Sequence, residues 1–187
     1  MNHILFINAC VRENSRTLRL AKHVLSKLNG DVTECNLEKE AILSLDRDLL
    51  AKRDALLAEG NLSDDLLKYA REFAEADQIV IAAPYWDLTF PALLKTYLEN
   101  ITVSGITFYY KEGIPQGLCK AKELIYVTTA GGPIFANYGF DYVKTLATAF
   151  YGIECVKCYK AENLDIIGAD VESILHETME QIDLFYK

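Results

Sequence analysis

Residues 78–83 read Gln78-Ile79-Val80-Ile81-Ala82-Ala83. From Ile79 onward the run is unbroken by a polar residue, unlike a strand with one face in water. Such a run belongs to a central strand covered on both faces, as in parallel sheets flanked by helices. On its amino side, Asp64–Ala76 carries helical spacing, with Ser63 placed to cap it and acidic residues in its first turn. On its carboxyl side, the loop Pro84–Pro91 leads into a helix over Ala92–Asn100. Helix, buried strand, loop and helix together form part of an alternating α/β pattern.

The same alternation extends outward. His3–Ala9 is a short apolar strand, and Ser15–Leu28 a helix with Leu18, Ala21, Val24, Leu25 and Leu28 on one face. Asn29-Gly30 ends that helix, as glycine commonly does. Val32–Leu37 is a weaker strand, and Ile42–Gly60 a charged, helix-prone excursion. Ile106–Gly117 reads as a hairpin or ordered loop and Glu123–Thr129 as the fourth strand of the sheet. After a turn at Ala130–Pro133 come a helix over Phe140–Tyr151 and a fifth strand over Ile153–Ala161. Asp170–Tyr186 is a last helix, with Val171, Ile174, Leu175, Ile182 and Phe185 expected inward. Five strands separated by helices imply an α/β, flavodoxin-like three-layer sandwich. Its five-stranded parallel sheet has the order 2-1-3-4-5, in a single domain over 1–187. Such sheets bind ligands beyond the carboxyl ends of their strands, where the order switches. Three loops meet there: Cys10–Thr17, Pro84–Pro91 and Thr128–Tyr138.

Composition agrees with one domain. The 187 residues are 51% hydrophobic and 25% charged, enough for a core and too apolar for a disordered chain. The net charge of -8 disfavours nucleic acid and anionic membrane as partners. No run approaches the roughly 18 apolar residues of a membrane span. Met1–Val11 lacks the marks of a secretory leader, so a cytoplasmic location is expected. The five cysteines are odd in number and spread along the chain, as free thiols in a reducing compartment would be.

In the first loop, Ser15, Arg16 and Thr17 start a helix, where free amides and the dipole favour an anion. With Arg12 they supply the donors that a phosphate monoester needs. The plainer reading makes Ser15 only an N-cap. Cys10 and Arg16 are also spaced Cys-x5-Arg, which resembles the loop of low-molecular-weight tyrosine phosphatases. A thiolate at a helix start would be nucleophilic. Against this, Val11–Ser15 holds no glycine, and the prolines follow Ala83, Phe90, Ile114 and Gly132, so no Asp-Pro acid exists. Dinucleotide and P-loop fingerprints are absent. The acidic strand ends of a receiver domain are replaced by Asn8-Ala9 and Ala82-Ala83. The second loop carries the only tryptophan, Trp86, between Tyr85 and Phe90; these can line a flat ring or pack the next helix. In the third, Gly131 and Gly132 admit a ligand close to the backbone or make a tight turn. Cys155 and Cys158 lie three apart in a strand and face opposite ways, and His3, His23 and His176 are scattered, so no metal is expected.

Three segments carry a resemblance. Pro84-Tyr85-Trp86-Asp87-Leu88-Thr89-Phe90-Pro91-Ala92-Leu93-Leu94-Lys95 is similar to the segment after the third strand in flavodoxin-like NAD(P)H:quinone oxidoreductases and FMN-dependent NADH-azoreductases. Gly105–Tyr110 followed by Gly113–Gly117 resembles their F-x-Y…G-P-x-G-L stretch. Thr128-Thr129-Ala130-Gly131-Gly132 resembles their T-x-G-G turn. The resemblance implies bound FMN, NAD(P)H as co-substrate, and a quinone, azo compound or similar small-molecule electron acceptor. It places Ser15, Arg16 and Thr17 at the FMN phosphate, with Cys10 and Arg12 beside them. Pro84, Tyr85, Trp86, Asp87 and Leu88 would line the ribityl chain and one ring edge. Thr128, Thr129, Ala130, Gly131 and Gly132 would meet the pyrimidine edge. Tyr109, Tyr110 and Tyr138 would face the substrate, across a homodimer interface, with Ile42–Gly60 and Ile106–Gly117 building the dimer and roofing the flavin. The non-enzymatic alternative is a flavodoxin-type electron carrier without NAD(P)H turnover.

Overall fold

The structure, a computed structural model, describes residues 2–186; Met1 and Lys187, the ends of the expected domain, lie outside them. The central sheet holds β1 (His3–Asn8), β2 (Asp31–Asn36), β3 (Gln78–Ala82), β6 (Glu123–Thr129) and β7 (Cys155–Ala161) in the order β2-β1-β3-β6-β7. All its pairings are parallel. The order 2-1-3-4-5 expected from the alternation is therefore the order found. Two short strands, β4 (Phe108–Lys111) and β5 (Ile114–Gly117), form a separate antiparallel hairpin.

Side-chain alternation in the central strands feeds two cores. Leu5, Ile7, Ile79, Ile81, Leu124 and Tyr126 face one side. There they meet α3 (Lys68–Glu75), α4 (Ala92–Ile101) and α5 (Tyr138–Leu146). Ile4, Phe6, Val80, Ala82, Ile125 and Val127 face the other, against α1 (Arg16–Leu25) and α6 (Val171–Phe185). The helices present apolar residues at three- and four-residue spacing, as in Leu94, Tyr97, Leu98 and Ile101 of α4. Side-chain caps define the starts of α1, α5 and α6: Ser15 accepts from the Leu18 amide, Asn137 from Phe140 and Asp170 from Ser173.

Several expectations are corrected. Asp64, not Ser63, caps the helical segment before β3; its Oδ1 accepts from the Leu66 amide and opens a 3-10 turn at Asp65–Leu67. Ser63 instead donates to Asn61. α1 ends at Leu25 rather than Leu28. α5 begins at Tyr138 and widens into a π-helical turn at Ala147–Tyr151. Phe185 faces outward at 57% exposure, because it lies past the last fully buried residue of α6, Ile182. The excursion Ile42–Gly60 contains α2 (Arg47–Ala58), which buries Leu56 in a small third cluster with Leu67, Ala70 and Val103.

Candidate active site

Parallel register gathers Asn8, Asn36, Ala82, Thr129 and Ala161 at one edge of the sheet. The loops that follow are stitched together there. Ala9 donates to Ala82 O, Ala83 to Val127 O and Tyr85 to Thr129 O, each at 2.9–3.0 Å. Between them lies a cavity of about 630 Å³, lined by residues of all three expected loops and by Leu164 and Asp165.

The first loop enters this cavity. Ser15 caps α1, its Oγ 3.2 Å from the Leu18 amide, and Arg19 N returns to Ser15 O. Within the first turn, the Arg16 and Thr17 amides come too early to have an intrahelical acceptor, so they are available at the cavity. Arg12, Ser15, Arg16 and Thr17 all line it. The Thr17 hydroxyl is occupied beneath: it shares a 2.6 Å hydrogen bond with Thr129, joining α1 to β6. Asn8 organises the loop from below, accepting the Cys10 amide and donating to Glu34.

Cys10 is corrected in one respect. Its side chain is 5% exposed and packs in the core, with Sγ 3.7 Å from Ala82 O, and it does not line the cavity. Burial pushes its thiol up to about 11, against a smaller lowering by Ser15. At pH 7 roughly one such thiol in ten thousand is ionised. The Cys-x5-Arg phosphatase reading therefore lacks its nucleophile. Iodoacetamide at neutral pH is expected to label exposed Cys155 well before Cys10 in the folded protein, as mapped by mass spectrometry. Preferential labelling of Cys10 would restore the phosphatase reading.

The second loop is held by a tight turn. Trp86 and Thr89 exchange backbone hydrogen bonds of 3.2 and 2.8 Å around Asp87 and Leu88, whose φ values are 49° and 69°. Positive φ at two successive non-glycine residues is uncommon and costs energy. The turn leaves Trp86 at the junction of two cavities. One is the cavity described above. The other is a cleft, also of about 630 Å³, lined by Trp86, Phe90, Pro91, Lys95, Tyr138 and Tyr142 among others. Pro84 and Tyr85 line the first cavity, and the Tyr85 hydroxyl donates to Ala136 O. Asp87 is exposed and belongs to the cleft, whereas Leu88 is exposed and lines neither.

In the third loop, Thr129, Ala130 and Gly131 line the cavity. Thr128 does not: strand alternation turns it to the opposite face, fully buried, with its hydroxyl unpaired in the structure. Gly132 is not among the lining residues, although space around it is open. Tyr138 reaches the cleft. Tyr109 and Tyr110 do not reach either space, because the hairpin is anchored elsewhere. Leu118 N donates to Thr107 O and Lys120 N to Ala74 O, near the amino ends of the strands. Neither α2 nor the hairpin roofs the cavity within one chain.

Leu164 and Asp165 line the cavity from outside the three loops that the sequence singles out. Asn163, Leu164 and Asp165 donate to Gly132, Ala130 and Gly131 carbonyls at 2.8–3.2 Å. The signal was topological: the loop after the last strand must reach the same sheet edge.

The profile of the flavodoxin-like fold matches residues 2–184. The chain is 37% identical to FMN-dependent NADH:quinone oxidoreductase 2 of Clostridium acetobutylicum, covering 97% of this chain and 96% of that protein. It is 36% identical to FMN-dependent NADH:quinone oxidoreductase of Coprothermobacter proteolyticus, covering 100% and 99%. Among solved structures, an azoreductase from Bacillus anthracis superposes with a TM-score of 0.85 at 25% identity, over 100% of this chain and 99% of that one. A match over nearly the whole chain places this protein: it belongs to the flavodoxin-like fold family, with the FMN-dependent NADH:quinone oxidoreductases among its relatives.

Proposed function

We propose that this chain is an FMN-dependent oxidoreductase that oxidises NAD(P)H and reduces a quinone, azo compound or similar small molecule by two electrons. The observation that carries the reading is one cavity with two chemically different kinds of wall. The Arg16 and Thr17 amides, Ser15 and Arg12 suit a phosphate. Trp86 and the Ala130–Gly131 backbone suit a flat ring. The volume lies within the roughly 300–1,000 Å³ of cofactor sites. The donor set therefore fits FMN, and relatives named FMN-dependent NADH:quinone oxidoreductases support it.

When bound, FMN supplies two-electron exchange between a nicotinamide hydride and an acceptor. The chain's part is to hold and orient. Ser15, Arg16 and Thr17 would fix the phosphate, Pro84 and Tyr85 would follow the ribityl chain, and Trp86 and Thr129–Gly131 would flank the ring. The adjoining cleft, with Phe90, Pro91, Tyr138 and Tyr142, offers an apolar seat for nicotinamide or acceptor on the far side of Trp86. An electron carrier has no use for such a seat, so turnover is favoured over the carrier.

The proposal extends to a homodimer in the cytoplasm, with one domain over 1–187. Tyr109, Tyr110, Ile114 and Leu118 on and beside the hairpin, with Phe135 and Tyr138, leave apolar surface exposed for a second copy. Five free thiols suit a reducing compartment. Among the described residues, no helix is long and apolar enough to cross a membrane.

Purified protein is expected to be yellow, to release FMN on denaturation, and to oxidise NADH only when benzoquinone or an azo dye is reduced in step. FMN binding without NADH oxidation would return the carrier, and failure to bind added FMN would overturn the proposal.

A further inference from the structure

The residues that close the cavity behind Gly131 carry opposite charges from distant parts of the chain. Arg16 Nη1 lies 2.6 Å from Asp165 Oδ1 and 3.1 Å from Leu164 O. Asp165 is not free to wander, because its own amide donates to Gly131 O at 2.8 Å. Its neighbours Asn163 and Leu164 are tied to Gly132 and Ala130. Gly131 matters for a second reason: a Cβ there would overlap the Asp165 carboxylate. The pair thus bridges the start of α1 and the glycine turn, with both partners lining the cavity.

An exposed ion pair alone contributes little to stability. One turn along α1, Arg19 and Glu172 form a second, bidentate pair at 2.6–2.7 Å, outside this cavity and between α1 and the first turn of α6. Attachment is supplied by the backbone bonds of Asn163, Leu164 and Asp165 to the glycine turn and by the buried Thr17–Thr129 bond, not by an ion pair. What Arg16 and Asp165 add is a cation and an anion beside the space where a phosphate and a reducible ring would lie.

We infer that Asp165 is a positioning residue that holds the Arg16 guanidinium across the flavin cavity and offsets its charge, so that the pair sets FMN retention and the flavin reduction potential. This rests on the proposed flavin site. FMN brings a doubly charged phosphate, and full reduction places further negative charge on the ring. Removing the carboxylate leaves Arg16 uncompensated, which favours FMN and favours reduced FMN more. Removing the guanidinium leaves Asp165 uncompensated and does the reverse.

The test is the set Asp165→Asn, Arg16→Gln and the double variant, with Glu172→Gln as the neighbouring control. FMN dissociation constants come from titration of the apoprotein, and potentials from equilibration with redox dyes. D165N is expected to bind FMN about threefold to tenfold more tightly, and R16Q about threefold to tenfold more weakly. Each tenfold preference for reduced over oxidised FMN moves the two-electron potential by about 30 mV, upward for D165N and downward for R16Q. The double variant is expected to return close to wild type, and E172Q to stay within about twofold. Loosened binding in both single variants, additive in the double, would mean the pair only braces the loops and would overturn the inference. Wild-type protein that takes up no FMN would overturn the proposed function as well.

Discussion

Replacing Trp86 by alanine is expected to weaken FMN binding by about thirtyfold to a thousandfold, the usual range for truncating a buried aromatic anchor. The expectation follows from how the chain presents this residue. Trp86 is 38% exposed in the protein alone and belongs to none of the core clusters. The turn that holds it places Asp87 and Leu88 at positive φ, a conformation that neither side chain favours. Strain kept at the wall of a cavity, around an aromatic that packs no core, points to a ligand as the partner of the ring. The indole lines both the main cavity and the cleft, so its removal takes a wall from each. Because Trp86 contributes little to either core, the apoprotein should melt within about 2 °C of wild type. Trp86→Phe keeps a flat face and should lose less than about tenfold. Trp86 is the only tryptophan, so its fluorescence reports the site directly, and added FMN should quench it in wild type. Unchanged FMN affinity in W86A would remove the indole from the flavin wall.

How much of this is legible in the sequence depends on the distance over which each feature is decided. The run Ile79–Ala83 announces a central strand through local composition alone, and the sheet order follows from alternation of elements. Capping at Ser15 is equally local. Thr128 and Thr129 show a finer limit. Both end the same strand, and only strand parity, set by which residues of β6 face which helices, decides that Thr129 lines the cavity. Cys10 is decided by packing: its position in the loop suggests a reactive thiol, but the side chain turns into the core beside Ala82. Arg16 and Asp165 are 149 positions apart, so nothing in either neighbourhood marks their pairing. The hairpin tyrosines fail for a related reason. Motif similarity identifies the segment without saying at which end of the sheet the chain anchors it.

That anchoring leads to the largest expected effect on stability, at Gly117. Unlike Gly113, whose φ of +80° makes glycine a conformational need, Gly117 has no unusual φ, and its requirement is space. A Cβ at this position would overlap the backbone of Tyr151 and Gly152, where the π-helical turn ends. A flexible side chain could move aside; two peptide units cannot. Tyr151 is itself fixed, with its hydroxyl 2.6 Å from Thr102 and its ring edge-on to Phe73 at 4.9 Å. The extra carbon must therefore push the hairpin away from the end of α5, where Phe108 packs on Phe150. Gly117→Ala is expected to cost about 2–3 kcal/mol, as overpacking against an unyielding wall does. For a chain of this size each kcal/mol lowers the melting temperature by about 2–4 °C, so a fall of about 4–12 °C should appear by circular dichroism. Gly113→Ala should cost about 1 kcal/mol through its backbone alone. Displacing the hairpin also displaces Tyr109 and Tyr110, which reach a flavin site only if a second copy brings them there. G117A should therefore weaken the proposed homodimer in sedimentation while apoprotein monomers keep the cavity that the five-stranded sheet builds. A dimer unaffected by G117A, despite the lower melting temperature, would move the subunit contact away from the hairpin and leave Phe135 and Tyr138, at the opposite end of the sheet, as the surface that joins the copies.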